Sequence, residues 1–263
     1  MTHATSTPAS GTSVTPGRLV GADRTLAVLT ALATYPSGAS LEEITAELGS
    51  PKPTVHRALS ALRRAGLASR DGLGHYVLGD DFLRLAFAHH EARPDHVRVK
   101  DTLERLARRF GETIHYTVLD GDSVVYRSKV DPAEGAVRLT SVVGGRNPAH
   151  CTAAGKLLLS HLLPDRGAAA TWVGDRELER RTDKTLTTVD ELHKELEVTR
   201  ARGYGVDDQE NEPGINCLAV PVFLTGPTSP SGSISVSALA YRTPLASLLD
   251  QVDTIRELSG SPR

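Results

Sequence analysis

The side chains best able to do chemistry fall into two groups along the 263 residues. From Lys52 to Arg70 the chain carries Lys52, Arg57, Arg63, Arg64 and Arg70 without one acidic residue, inside a protein of net charge −2. A local cationic excess of this kind makes a surface for phosphates, and it implies that the remainder of the chain is acidic. The second group is His150, Cys151, Asp207 and Cys217. A cysteine activated by a histidine would be a nucleophile, and Cys, His and Asp together could hold zinc. Neither chemistry has its spacing here. His150 and Cys151 are chain neighbours, whose side chains seldom point the same way, and Cys217 lies in an apolar stretch, the usual home of an inert thiol. The possible ligands lack the paired spacing of a metal site. His89 and His90, about 100° apart on a helix, make a poor chelate. These residues predict binding, with no catalytic residue, metal or cofactor; a cysteine- or metal-dependent enzyme is the alternative.

The basic group needs a helix to present it. Ser40 and Glu43 have capping-box spacing, Leu41, Ile44 and Leu48 follow on one face, and Gly49 ends that helix. Ser50-Pro51 turns the chain, and Pro53 sits where a second helix can tolerate it. Val55, Ala58, Leu59 and Leu62 give that helix its apolar stripe. In such a helix-turn-helix the start of the second helix enters the major groove, so Lys52, Thr54, His56 and Arg57 are placed for base edges or flanking phosphates. Arg63 and Arg64 lie further along. Asp23 is expected to cap a supporting helix that runs to Thr34, with Arg24 at its start facing either a phosphate or solvent. LASRDGLGHYVLG reads as two strands around Asp71-Gly72. Three helices and a hairpin predict a winged helix. Its wing carries Arg70, His75 and Tyr76 towards DNA, or His75 and Tyr76 pack at its base. A bare helical hairpin with a solvated basic face would lack this agreement of turn chemistry and hairpin.

The length suits two domains. Residues 1–18, rich in Thr, Ser, Pro and Ala, lack the apolar centre of a signal peptide and read as a disordered arm. No apolar run approaches the roughly 20 residues needed to span a bilayer, and two cysteines make no disulfide framework, which fits a reducing cytoplasm. Residues 80–94 form a connector helix that ends at Arg93-Pro94, its apolar side meeting a second copy or the next domain. Beyond it, a helix from Asp95 to Phe110 gives way to period-two alternation at Ile114, Tyr116 and Val118, a turn at Asp120-Gly121-Asp122, a returning strand, and a third strand from Ala136 to Val143. Thr152 is suited to cap a helix from Ala153 to Leu163, whose free N–H groups offer a seat for a small anion. GGRNPAHCTAAGK lacks the spacing of a phosphate loop, so no nucleotide is expected. Thr188 and Glu191 box the next helix, which ends near Gly203. Two apolar strands, YGVDDQENEPGINCLAVPVFL and SGSISVSALA, are separated by TGPTSPSGS, and a last helix runs from Pro244 to about Leu258. The second domain is therefore α+β, an antiparallel sheet with helices on it.

PKPTVHRALSALRRAGLASRD with its YVLG wing ending, GETIHYTVLDGDSVVYRSKV, NPAHCTAAGKLLLS and RGYGVDDQENEPGINCLAVPVF stand in an order that resembles the isocitrate lyase regulator (IclR) family of bacterial transcription factors. The resemblance covers nearly all of the chain after Gly17. It implies a winged helix-turn-helix over 19–79 that binds double-stranded operator DNA, a linker helix over 80–94, and a GAF-like effector-binding domain over 95–260. The effector it implies is a small molecule, often an organic or aromatic acid, and members act as dimers or dimers of dimers. The family's effector positions fall on Leu139, Ala153, Ala154, Asp207, Ile215 and Cys217. Gln209 departs from the family's usual acid and Asn147 from its usual apolar wall, which points to a more polar effector. The function implied is a ligand-controlled repressor or activator whose two recognition helices read half-sites roughly 34 Å apart.

Overall fold

The computed structural model describes residues 21–91, 94–132 and 139–261. The arm of residues 1–18, the beginning of the strand expected at Ala136, and the side chains of His89 and His90 lie outside the described residues. The chain divides into two compact units, 1–92 and 93–263.

The first unit contains α1 (Ala22–Ala33), α2 (Leu41–Leu48), α3 (Lys52–Arg64), β1 (Ala68–Arg70), β2 (Tyr76–Leu78) and α4 (Asp80–Glu91). The capping box of α2 is present: Glu43 N–H donates to Ser40 Oγ at 3.2 Å and Ser40 N–H to Glu43 Oε2 at 2.7 Å. Gly49 closes the helix in the left-handed region that glycine enters without strain. Val55, Ala58, Leu59 and Leu62 of α3 are buried against Val28, Leu32 and Ile44, so the opposite face of α3 is left to the basic residues. One expectation needs correction. Asp23 makes no cap; Gly21 stands at that position and Asp23 lies in the first turn, where its charge still suits the helix dipole. The two strands of the wing flank Asp71-Gly72 as expected, joined by a loop over 71–75 in which the Asp71 carboxylate accepts from both Leu73 N–H (2.9 Å) and His75 N–H (2.8 Å). Ala39 adds a third edge by exchanging backbone bonds of 2.9 and 2.7 Å with Tyr76.

The second unit follows α5 (Pro94–Phe110) with β3 (Thr113–Asp120), β4 (Ser123–Val130), β5 (Arg146–Pro148), a single 3-10 turn (Ala149–Cys151) and α6 (Ala153–Leu162). Then come α7 (Arg166–Val173), α8 (Val189–Arg202), β6 (Gly205–Asp208), β7 (Ile215–Val222), β8 (Gly232–Leu239), α9 (Leu245–Leu249) and α10 (Val252–Ser259). The strands form one antiparallel sheet in the order β5-β4-β3-β8-β7-β6, the α+β arrangement expected. Residues 139–143 are not a strand; the third partner is β5. YGVDDQENEPGINCLAVPVFL is a hairpin of β6 and β7, because the polar stretch after Asp208 turns the chain. The last helix is two, α9 and α10, with Gln251 at the N-cap of the second. Helix α7 was not foreseen, its run of alanines having no clear apolar period.

Because strand side chains alternate, each face of this sheet has its own chemistry. Ile114 and Tyr116 of β3, Ile234 and Val236 of β8, and Leu218 and Val220 of β7 pack with α5 and α10 in one apolar core. The residues between them, Thr113, His115 and Thr117 on β3 and Ser233, Ser235 and Ser237 on β8, are also buried, yet polar. That face lies on the side of α6, whose Ala153, Ala154 and Leu157 share a second core with Cys217 and Ala219 of β7.

Candidate nucleic-acid interface and effector site

Lys52, His56, Arg57, Arg63 and Arg64 are exposed on α3 and Arg70 on β1, while Thr54 is half-buried in the first turn of α3. Lys52 forms an exposed ion pair with Glu42 of α2, which ties the two helices of the motif across their turn. At 1.5 Å per residue, Arg63 stands about 9 Å along the axis from Arg57. Arg63, Arg64 and Arg70 instead line a concave surface with Ser60 and Ser69, between the end of α3 and the wing. Arg70 is held there, its Nε donating to Gly74 O at 3.0 Å and its guanidinium 5.1 Å from the centre of the Tyr76 ring. Of the two readings of Tyr76 the structure takes the second: the ring is buried in the core of the unit and packs at the base of the wing. His75 is half-buried, its Nδ1 3.6 Å from Asp71, and Arg24 is half-buried at the start of α1.

In the second unit, Thr152 caps α6 by accepting from Gly155 N–H at 3.1 Å. The start of α6 presses directly on β6, for a Cβ on Gly205 would come within 2.0 Å of Ala153 O. Next along β6, Asp207 stands opposite Cys217 in the ladder. From there polar contacts run along the sheet: Cys217 Sγ to Ser237 Oγ at 3.1 Å, and His115 Nε2 to Ser141 Oγ at 2.8 Å. His115 stacks at 4.5 Å on Tyr126, whose hydroxyl accepts from Asn147 Nδ2 at 2.9 Å. Of the six positions carried over from the family, Ala153, Ala154, Asp207 and Cys217 therefore come together at one place. Ile215 lies two residues before Cys217 on the same face of β7, half-buried. Leu139 is joined to β4 through its carbonyl, which accepts from Lys129 Nζ at 2.8 Å.

Residues 21–72 match the IclR helix-turn-helix domain, and residues 96–260 match the bacterial transcriptional regulator IclR C-terminal domain. The chain belongs to the IclR family. It is 34% identical over 255 residues to the HTH-type transcriptional regulator BhcR of Paracoccus denitrificans, covering 92% of this chain and 87% of that protein. Thermotoga maritima IclR superposes with a TM-score of 0.74 at 26% identity, over 90% of this chain and 94% of its own. The inducer-binding domain of PobR from Acinetobacter, solved as a double mutant with 3-hydroxybenzoic acid, gives a TM-score of 0.56 at 28% identity, over 62% of this chain and 93% of its own. This IclR-family protein is a ligand-responsive, DNA-binding transcriptional regulator and not an enzyme.

The electrostatics of the IclR-type site agree with a binding role. Burial pushes the Cys217 thiol up to about 12 and the Cys151 thiol well above its usual range, helped in both by the charge of Asp207, so neither is a thiolate near neutrality. Desolvation holds His115 neutral, down to about 3, with the Lys129 charge acting the same way. His150 Nε2 is turned to the Glu179 carbonyl at 3.0 Å, while the Cys151 thiol is directed to the Pro148 carbonyl at 3.6 Å and to Asn211 Oδ1 at 3.8 Å. Among the described residues no three His, Cys, Asp or Glu side chains converge to hold a metal.

Three features of the site escaped the sequence reading. One is the polar row His115, Ser235 and Ser237, signalled by the alternation Ser-Ile-Ser-Val-Ser in a strand read as simply apolar. Another is Lys156, only 1% exposed, which bonds Glu210 and stands 3.2 Å from Glu195, itself held by Arg202 at 2.8 Å. The third is the segment around Thr182 and Thr185, whose hydroxyls bond the Gln209 and Glu210 carbonyls at 2.8 and 2.7 Å. These contacts brace the turn after Asp207. Gln209 at its tip takes a positive φ of 63°, and its Oε1 accepts from Gly214 N–H at 3.2 Å.

Proposed function

We propose that this regulator binds operator DNA as a homodimer or dimer of dimers and that a small organic or aromatic acid controls it from the second unit. Lys52, Thr54, His56 and Arg57 contact base edges and adjacent phosphates, while Arg63, Arg64, Arg70 and His75 contact the backbone beside them, with Arg24 at the edge. Exposed Leu83, Leu85 and Phe87 on α4 and Leu26 on α1 support pairing with a second copy, which covers them. A DNA partner supports a cytoplasmic location. Among the described residues no helix is long and apolar enough to cross a membrane.

The observation that carries the effector reading is the convergence of Asp207, Cys217, Ala153 and Ala154 beneath the capped start of α6, with Ile215 two residues before Cys217; Leu139, bonded to Lys129 of β4, is included on the family resemblance. The PobR domain with its bound 3-hydroxybenzoic acid supports the chemical class, and Asn147 and Tyr126 add polar groups for a ring substituent. A thermal-shift screen of organic and aromatic acids tests this, because a ligand that binds only the folded state raises its melting temperature. The expected result is a stabilising acid whose effect is lost in Leu139→Ala and reduced in Cys217→Ser. Arg57→Ala is expected to abolish specific operator binding, measured by fluorescence anisotropy, and to leave the acid's stabilisation intact. Sequence-specific binding by that variant would exclude α3 as the reading helix.

A further inference from the structure

The charges around Asp207 do not balance. Three carboxylates, Asp207, Glu210 and Glu195, share the site with two cations, Lys156 and Arg202. Both cations are committed elsewhere: Lys156 Nζ to Glu210 and Glu195, Arg202 Nη2 to Glu195. Asp207 is 3% exposed, and its Oδ1 accepts only backbone N–H groups, Glu210 at 2.7 Å and Asn211 at 3.3 Å. Its Oδ2 takes no hydrogen bond among the described residues.

Of the groups that face Asp207 from the packed elements, only Lys156 favours its charge, and it does so from its bonds to Glu210 and Glu195, too weakly to offset burial and the Glu210 charge. Cys217 on β7, Cys151 on the 3-10 turn and Tyr126 on β4 all feel its charge, and all three are held more firmly protonated. His115 on β3, beyond Ser237, is neutral. Arg181 acts on Cys151 but bonds the Asn211 carbonyl at 2.9 Å and pairs with Glu179 at 3.7 Å. An anion arriving here meets a buried carboxylate with no free cation to separate them, and two such charges cannot both stay ionised at contact distance.

We propose that the site binds a carboxylate effector only together with one proton, taken from solvent and held on Asp207. The protonated carboxyl then donates its O–H to the effector's carboxylate, so one negative charge is shared where two would repel. This rests on the effector reading above. Burial and the Glu210 charge already bring Asp207 up to about 7 before any ligand arrives, so the proton is available near neutral pH.

The test is calorimetric titration of the full chain with 3-hydroxybenzoate, whose carboxyl stays ionised from pH 5.5 to 9, repeated at pH 8 in phosphate and in Tris to count protons. The expected Kd is flat below pH 6.5 and weakens about tenfold per pH unit above 7.5, with close to one proton taken up at pH 8. 3-Hydroxybenzyl alcohol, which lacks the carboxylate, is expected to bind without that slope. Asp207→Asn should bind the acid at pH 8.5 as tightly as the wild type does at pH 6. Wild-type binding with no pH dependence and no proton uptake overturns the proposal and leaves the effector reading standing. A slope abolished by Glu210→Gln but kept in Asp207→Asn also overturns it, by moving the proton to Glu210. Absence of binding at every pH removes the effector reading and the proposal with it.

Discussion

Asp207 shows how one buried side chain can work against stability where it serves binding. The Lys156 charge and two backbone bonds to its carboxyl favour ionisation, but desolvation and Glu210 outweigh them and bring it from 3.8 up to about 7. An acid raised in this way stabilises the fold fully below its unfolded value near 3.8, and that contribution is lost as pH rises through about 7. Asp207→Asn keeps an acceptor for both N–H groups and removes the charge. Thermal melts of the two proteins should coincide near pH 4 and separate as pH rises to 7. The variant is then the more stable above pH 7, by on the order of 4 kcal/mol. A wild type that stays the more stable at pH 8 would show that Asp207 is charged and well paired there. Lys156 is the contrasting case, a buried cation whose two carboxylate partners make it costly to remove.

At the scale of elements, the effector site depends on how α6 meets β6. Thr152 fixes where α6 begins, and the absence of a side chain at Gly205 lets the helix start lie against the strand. In Gly205→Ala the added methyl would meet Ala153 O, and the neighbour is backbone, which cannot swing aside. The variant should lose about 1–3 kcal/mol in urea unfolding. It should also lose the acid's stabilisation in the thermal-shift assay, because Asp207 and Ala153 separate. Full effector response in that variant would show that the helix start is not part of the site. The turn from Asp207 to Gly214 is braced from outside by Thr182 and Thr185, so its shape belongs to the packing of distant segments.

For the molecule as a whole, the basic stretch on α3 and the wing is set within a chain of net charge −2. Binding to DNA should therefore depend on local phosphate contacts and not on overall attraction. If each of two copies neutralises about four phosphates, log K for the operator should fall against log salt with a slope of roughly −7. Arg63→Ala, Arg64→Ala and Arg70→Ala should each make the slope shallower by about one per copy, while Arg57→Ala acts on sequence preference as well. Anisotropy titrations between 50 and 300 mM salt, spanning the range over which counterion release is strong, measure this. A slope unchanged by the wing and helix-end arginines would place the phosphate contacts elsewhere.

Local chemistry was enough to read the helix-turn-helix from the chain. Ser40, Glu43, Gly49 and Pro53 act on backbone groups within a few residues of themselves, and the stripe from Val55 to Leu62 needs only helical periodicity. The same holds for Thr152 and for the Thr188–Glu191 box, both present in the fold. What the chain could not disclose alone lay in contacts between distant segments. The Asp71 carboxylate sets the shape of the wing loop, and β5 is the neighbour of β4 where residues 139–143 were expected to be a strand. Tyr76 reads equally as a wing contact or as core until the helices close around it. Asp207 and Cys217 were named by resemblance, but their cross-strand pairing and the buried Lys156 beside them exist only once β6, β7 and α6 are packed. A charge's behaviour depends on its solvent exposure and on partners far away in sequence, and tertiary structure alone decides both.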